Sequence, residues 1–186
     1  MTTLVITKAD LNERNEYAAA PNLNYSGHIE IDAGPITVQF LGNVKAGGNL
    51  TCRNGGISAA WRITVGGNID TKWGIKSGGD VGARSNINTS ESITALGSII
   101  AGKDIQAAGN IDAAWNIEAG KSITAGEGIK SGWAIRAGED IRAIRSIVAY
   151  CDITAGCTIS TNEGIEAQWD ITAGNNILAG WGIRVG

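Results

Sequence analysis

The chain has 186 residues, 18 acidic and 15 basic side chains and a net charge of -3. This mixed, slightly acidic balance lacks the basic patch of a nucleic-acid-binding protein. No basic segment followed by an apolar run opens the chain, and no apolar stretch reaches about eighteen residues. We therefore expect a cytoplasmic protein without a nucleic-acid or membrane partner.

Residues 1–28 do not show the six-residue repeat that fills the rest of the chain. Their central stretch, "TKADLNERNEYAAAPNLNYSG", fits a helix or an irregular lid. Repeat stacks need a polar cover at their ends, so we predict an N-terminal cap over the first coil. The single histidine, His28, follows this segment, and a surface or capping role is favoured for it over a catalytic one.

Residues 29–56 show the repeat in loose form. Apolar and small residues alternate in Ile36-Thr37-Val38, Val44-Lys45-Ala46 and Leu50-Thr51-Cys52, and one extra residue precedes Ile57. We predict irregular first coils here, with Cys52 in the core. Cys52, Cys151 and Cys157 are odd in number and lack zinc-type spacing, which indicates reduced thiols and no metal site.

Residues 57–186 keep a strict period of six. Stepping by six from Ile57 to Ile183 gives 22 positions, all isoleucine except Val81, and a small residue follows two places after each. Large and small residues separated by one place lie on the same face of a short strand. Glycine is frequent at the fourth place of each hexad, and Asn, Asp, Ser or Gly at the sixth. These residues tolerate a positive φ or bond their own backbone, which indicates a corner after every strand.

The spacing of tryptophan gives the number of sides. Trp115 and Trp133 are 18 residues apart, and the steps to Trp61 and Trp169 are 54 and 36. Because these steps are multiples of 18, we predict an all-β fold: a single-stranded parallel β-helix with a triangular cross-section, six residues per side and 18 per coil. Its coils should stack about 4.8 Å apart.

Two features of this solenoid are candidate binding sites. Trp115, Trp133 and Trp169 share the fifth place of the hexad at one edge, where they could stack on sugars or anchor a protein. The alternative is that these rings lie over corner glycines and shield the backbone. The last hexads, "WDITAGNNILAGWGIRVG", show no cap. We therefore expect Ile177, Ile183 and Val185 to form an open edge that pairs with another copy.

Hexapeptide-repeat acyltransferases resemble the chain in period and triangular coil. They place the small residue before the aliphatic one, use a catalytic histidine between subunits and extrude a loop. Here the order is reversed, His28 precedes the strict repeat, and the register is unbroken. We therefore expect no enzymatic activity, no catalytic residue and no cofactor.

The running pattern "GNIDAAWNIEAGKSITAGEGIKSG" resembles the bactofilins, over roughly residues 44–186. This resemblance implies a cytoplasmic scaffold whose right-handed triangular helices assemble end to end without nucleotide. The tryptophans and the cap-like N-terminus depart from that family, and a cap at one end would restrict assembly to a tail-to-tail dimer. Two hypotheses follow: a self-associating scaffold, and a module that binds a glycan or protein along its tryptophan edge.

Overall fold

The computed structural model describes residues 1–186 and shows an all-β solenoid, which confirms the predicted fold class. It has 28 strands and one short 3-10 helix, Lys8–Asp10. No helix is long and apolar enough to cross a membrane. Apart from the first coils, the strands are short and most have three residues, as expected for a strand that ends at a corner after each hexad.

The strands form three parallel sheets, one for each side of the prism. The first sheet contains β1 (Thr3–Thr7), β3 (His28–Asp32), β6 (Leu50–Cys52), β9 (Ile69–Thr71), β12 (Ile87–Thr89), β15 (Ile105–Ala107), β18 (Ile123–Ala125), β21 (Ile141–Ala143), β24 (Ile159–Thr161) and β27 (Ile177–Ala179). The second contains β2 (Leu23–Tyr25), β5 (Val44–Ala46), β8 (Ile63–Val65), β11 (Val81–Ala83), β14 (Ile99–Ala101), β17 (Ile117–Ala119), β20 (Ile135–Ala137), β23 (Ile153–Ala155) and β26 (Ile171–Ala173). The third contains β4 (Thr37–Phe40), β7 (Gly56–Ala59), β10 (Ile75–Ser77), β13 (Ile93–Ala95), β16 (Ile111–Ala113), β19 (Ile129–Ser131), β22 (Ile147–Ala149), β25 (Gly164–Ala167) and β28 (Gly182–Val185).

Each strand of the regular stack pairs with the strand one coil away, 18 residues along the chain. Ile117 of β17, for example, lies between Ile99 of β14 and Ile135 of β20. Large aliphatic residues, isoleucine in most coils, therefore stack on one another through the prism, and the smaller inward residues stack on one another. This register confirms the three-sided coil predicted from the tryptophan spacing.

The inward isoleucines form one continuous core with the small residues that follow them. Forty-four buried residues belong to this cluster, which runs from Ile6 to Ala167. Cys52 lies in it, as predicted. Burying an isoleucine stabilises the fold by roughly 1.5–3 kcal/mol, so the stack depends on many equal contributions and not on one central nucleus.

The corners join successive coils by side-chain hydrogen bonds. At the corner between the second and first sheets, the Asn86 side-chain oxygen accepts the N–H of Asp104, and the Asp104 carboxylate accepts the N–H of Ser122. His28 begins the same ladder, because its Nδ1 accepts the N–H of Asn49. The polar sixth place thus satisfies backbone donors of the following coil.

The corner glycines have a different role from the one their sequence suggests. Only Gly34 among the glycines has a positive φ, so left-handed backbone is not what the corners require. A Cβ on Gly120 would collide with the carbonyl oxygen of Gly102, one coil earlier. Glycine at such corners therefore permits close stacking of the coils.

Candidate functional site

The last coil presents apolar side chains at an unpaired sheet edge. Strands β26, β27 and β28 are terminal in their sheets. Ile183 and Val185 are each 50% exposed, and Ile177 is partly buried, whereas the equivalent isoleucines of the preceding coils are almost wholly buried. The three predicted self-association residues thus lie together on one end of the prism.

At the opposite end of the prism the apolar core is covered, although β1 and β2 are terminal in their sheets there. Ile6 of β1 is fully buried, and Leu11 and Tyr17 pack against the core. The Tyr17 ring contacts that of Phe40, with 5.7 Å between ring centroids. Strands β1 and β2 lie within the range predicted as a cap, 1–28, and pair with the solenoid strands β3 and β5. The two ends of the stack are therefore chemically different.

The second site is the corner where the third sheet passes into the second. The structure places Trp115, Trp133 and Trp169 there in one column, joined by backbone hydrogen bonds along the stack. Trp133 N–H donates to the Trp115 carbonyl at 3.2 Å, Cys151 N–H to Trp133 at 2.7 Å, and Trp169 N–H to Cys151 at 3.3 Å. The buried Ser131 hydroxyl also donates to the carbonyl of Trp115, so this backbone is held firmly.

The tryptophan rings remain accessible at this corner. Trp115 and Trp169 are 59% exposed and Trp133 is 45% exposed, while Cys151 between them is buried. Rings that served only to shield the corner backbone would lie flatter and bury more of their area. Their exposure favours a contact surface.

Further residues missed by the sequence reasoning belong to the same column. Each coil contributes the fourth and fifth residues of one hexad to this corner, and we call these paired positions, from Leu41-Gly42 to Gln168-Trp169, the ridge. Tyrosine and leucine at the fourth place were not recognised, because that place was assigned to corner glycine. The large exposed apolar side chains of the ridge are Leu41, Trp61, Leu96, Trp115, Trp133, Tyr150 and Trp169.

The fourth and fifth places are uncharged throughout the ridge, unlike the same places at the other two corners. Between the second and first sheets the fifth place holds Lys103, Lys121 and Glu139, and between the first and third it holds Glu91 and Glu127. The seven large side chains of the ridge span about 34 Å, since successive coils are about 4.8 Å apart. A straight apolar line of this length is unusual on a protein surface.

Ionisable groups form no comparable cluster. No three of the His, Cys, Asp and Glu side chains are placed to hold a metal ion. Burial raises the pKa of the Cys52 thiol, and it raises that of Asp112 on the third sheet, where Lys130 opposes the shift. A surface depression of about 660 Å³ is lined in part by Lys76, Glu91 and Glu127, on the side of the third sheet away from the ridge.

Comparison with protein-family models, with curated proteins and with solved structures gave no match. The likeness to bactofilins therefore consists of the repeat pattern and the 18-residue coil.

Proposed function

We propose that this protein is a non-enzymatic scaffold that self-associates through the last coil, residues 171–186. The fold is compatible with a structural role, because the open end of a solenoid of similar coils can pair with a further coil. The observation that carries the proposal is the half-exposure of Ile183 and Val185 at the unpaired end of the third sheet.

The last coil has two unfavourable features, an exposed apolar edge and unpaired backbone groups, and pairing of two such ends would remove both. The apolar edge would leave water, and the N–H and C=O groups of β26, β27 and β28 would find partners. The cover provided by Leu11 and Tyr17 at the other end opposes head-to-tail stacking. The expected product is therefore a tail-to-tail dimer in preference to a long filament.

The test is the solution mass, measured by light scattering after size exclusion over a wide concentration range. We expect the mass of the parent protein to rise with concentration, and Ile183→Asp, which places a charge on the stacking edge, to have a lower mass wherever the parent associates. Leu178→Asp is the matched control. Leu178 is exposed in the same coil, but its side chain points away from the core and not towards the stacking edge. A parent protein that is monomeric at every concentration would refute the proposal.

A second candidate function, binding of a glycan or protein along the tryptophan edge, is favoured by the exposure of Trp115, Trp133 and Trp169. Their joint replacement by alanine should abolish binding of such a ligand and leave far-UV circular dichroism unchanged. Trp73 and Trp181 lie at another corner of the prism and serve as the control pair. Equal loss of binding in the control variant would remove the tryptophan edge from consideration.

A further inference from the structure

The ridge has an internal order of large and small residues. In every coil where the fifth place is tryptophan, the fourth place is Ala, Gly or Gln, as in Ala114-Trp115 and Gly132-Trp133. Where the fourth place is Leu or Tyr, the fifth is Gly or Cys, as in Leu96-Gly97. One coil, Gly78-Gly79, carries no large side chain and leaves a gap. The ridge thus carries at most one large side chain per coil, with a smaller residue beside it.

This order is complementary to itself when the ridge is reversed. The eight coils can be paired first with eighth, second with seventh, and so on, about a point between Leu96-Gly97 and Ala114-Trp115. At the fifth place Trp169 then faces Gly42, Trp133 faces Gly79, and Trp115 faces Gly97. The fourth tryptophan, Trp61, faces the buried Cys151. Each tryptophan therefore meets a small or buried residue.

The fourth place follows the same rule under this reversal. Tyr150 faces Ala60, and Leu96 faces Ala114; Leu41 faces Gln168. A parallel two-fold arrangement would instead place the fourth place of each coil against the fifth place of the same coil, as Ala114 against Trp115, and would leave the Gly78-Gly79 gap facing itself. Only the antiparallel arrangement places a tryptophan, Trp133, opposite that gap.

Charges beside the ridge agree with the same pairing. The sixth place follows the ridge on its second-sheet side, and reversal brings Arg62 opposite Asp152. Asp80 comes opposite Ala134 and Asp170 opposite Asn43, so no two like charges meet at these places. Such an arrangement lowers the cost of approach between two copies.

The apolar area of the ridge is comparable with that of a dimer interface. Five aromatic and two leucine side chains, each about half exposed, present about 500–850 Å² when each full side chain counts as about 150–250 Å². A stable interface needs about 800 Å² per partner. A monomer's largest apolar patch is about 300–600 Å².

We propose that the ridge binds the ridge of a second copy of this chain, antiparallel, about a two-fold axis near Leu96-Gly97 and Ala114-Trp115. In such an interface each contact occurs twice, once in each direction. The inference rests on the second candidate function, since it identifies the partner of the tryptophan edge as protein. It is independent of end-to-end pairing, which uses the last coil.

The test exchanges a large side chain of the ridge with the glycine that faces it in the partner. Gly79→Trp fills the gap that receives Trp133 of the partner subunit, and Gly79→Trp/Trp133→Gly moves the tryptophan to the opposite position. The exchange keeps glycine at both fourth places, Gly78 and Gly132. A Cβ at Gly79 would lie 3.3 Å from the carbonyl carbon of Trp61, so the backbone must yield slightly. Thermal unfolding of each variant therefore accompanies the binding measurement.

All variants carry Ile183→Asp, which separates ridge pairing from end-to-end pairing, and dimerisation is measured by sedimentation velocity. We expect Gly79→Trp to weaken the dimer about tenfold or more, as for the loss of an interface hot spot, and the double variant to restore it. Unchanged or tighter association in Gly79→Trp would overturn the proposal. So would a folded double variant that stays monomeric.

A flat or flexible ligand would give the opposite result, because an added tryptophan enlarges the ridge. The same variants are therefore mixed with a linear β-glucan and with phosphatidylcholine vesicles. Tighter binding of either probe by Gly79→Trp, together with a monomeric parent, would assign the ridge to that ligand and overturn self-pairing. We expect no binding of either probe that depends on Gly79.

Discussion

Replacement of Ile117 by alanine tests whether the stack of inward isoleucines holds the fold together. Ile117 is fully buried in the middle of the second sheet, in register between Ile99 and Ile135. Neighbours fixed in both adjacent coils cannot collapse easily into the space left behind. We expect the free energy of unfolding to fall by about 2–5 kcal/mol. For a chain of this size that lowers the melting temperature by about 4–20 °C.

The assay is urea unfolding followed by far-UV circular dichroism, with Ile100→Ala as the matched control. Ile100 follows the inward Ile99 in the adjacent strand β14, and its side chain points outward and is exposed. Its loss should change the stability by no more than about 0.5 kcal/mol. Equal destabilisation by the two variants would refute the claim that stability comes from the inward register.

Three further predictions concern single side chains. Cys157, which is partly exposed, should be the first thiol alkylated by a maleimide in the native protein, while burial and its raised pKa protect Cys52; mass spectrometry showing early alkylation of Cys52 would contradict this. Burial raises the pKa of Asp112, so the folded state disfavours its ionised form. The protein is therefore more stable with Asp112 protonated, and this stability is lost as the pH rises through the folded-state pKa. Asp112→Asn should therefore raise the melting temperature at pH 7, with a gain that disappears near pH 3; a constant gain would be inconsistent with titration. Asn86→Ala removes the acceptor of the Asp104 N–H and should cost about 1 kcal/mol in urea unfolding; no loss would show that the corner ladder is dispensable.

The fold could be predicted from the sequence because its information is local and repeated. Every hexad carries the same large and small inward residues, and the tryptophan spacing independently gives three hexads per coil. A one-residue error in register would expose every isoleucine, so only one arrangement buries them all. Few folds leave so direct a trace in the sequence.

The ridge was only partly predictable. Trp115, Trp133 and Trp169 were found because they share the fifth place, but Leu96 and Tyr150 occupy a place where glycine is the common residue. They could have been found by comparing corners at intervals of 18 in place of positions within single hexads. The close-approach role of Gly120 also escaped, because it depends on the distance between coils and not on the residue's own conformation.

The ladder that begins at His28 required coordinates as well. Its Nδ1 accepts a hydrogen bond from Asn49, 21 residues later, whereas regular coils repeat after 18. The spacing of the first coils is irregular, so the partner of His28 cannot be counted off from the repeat.

Small-angle X-ray scattering tests the central claim, association through the last coil, most directly. Nine intervals between the ten strands of the first sheet give one copy a length of about 45 Å. On Gly79→Trp, in which ridge pairing is weakened, we predict that the maximum dimension rises with concentration to about 90 Å at constant cross-section, reflecting two stacked prisms of that length. A length that stays near one prism at every concentration, or a cross-section that grows without added length, would contradict the account.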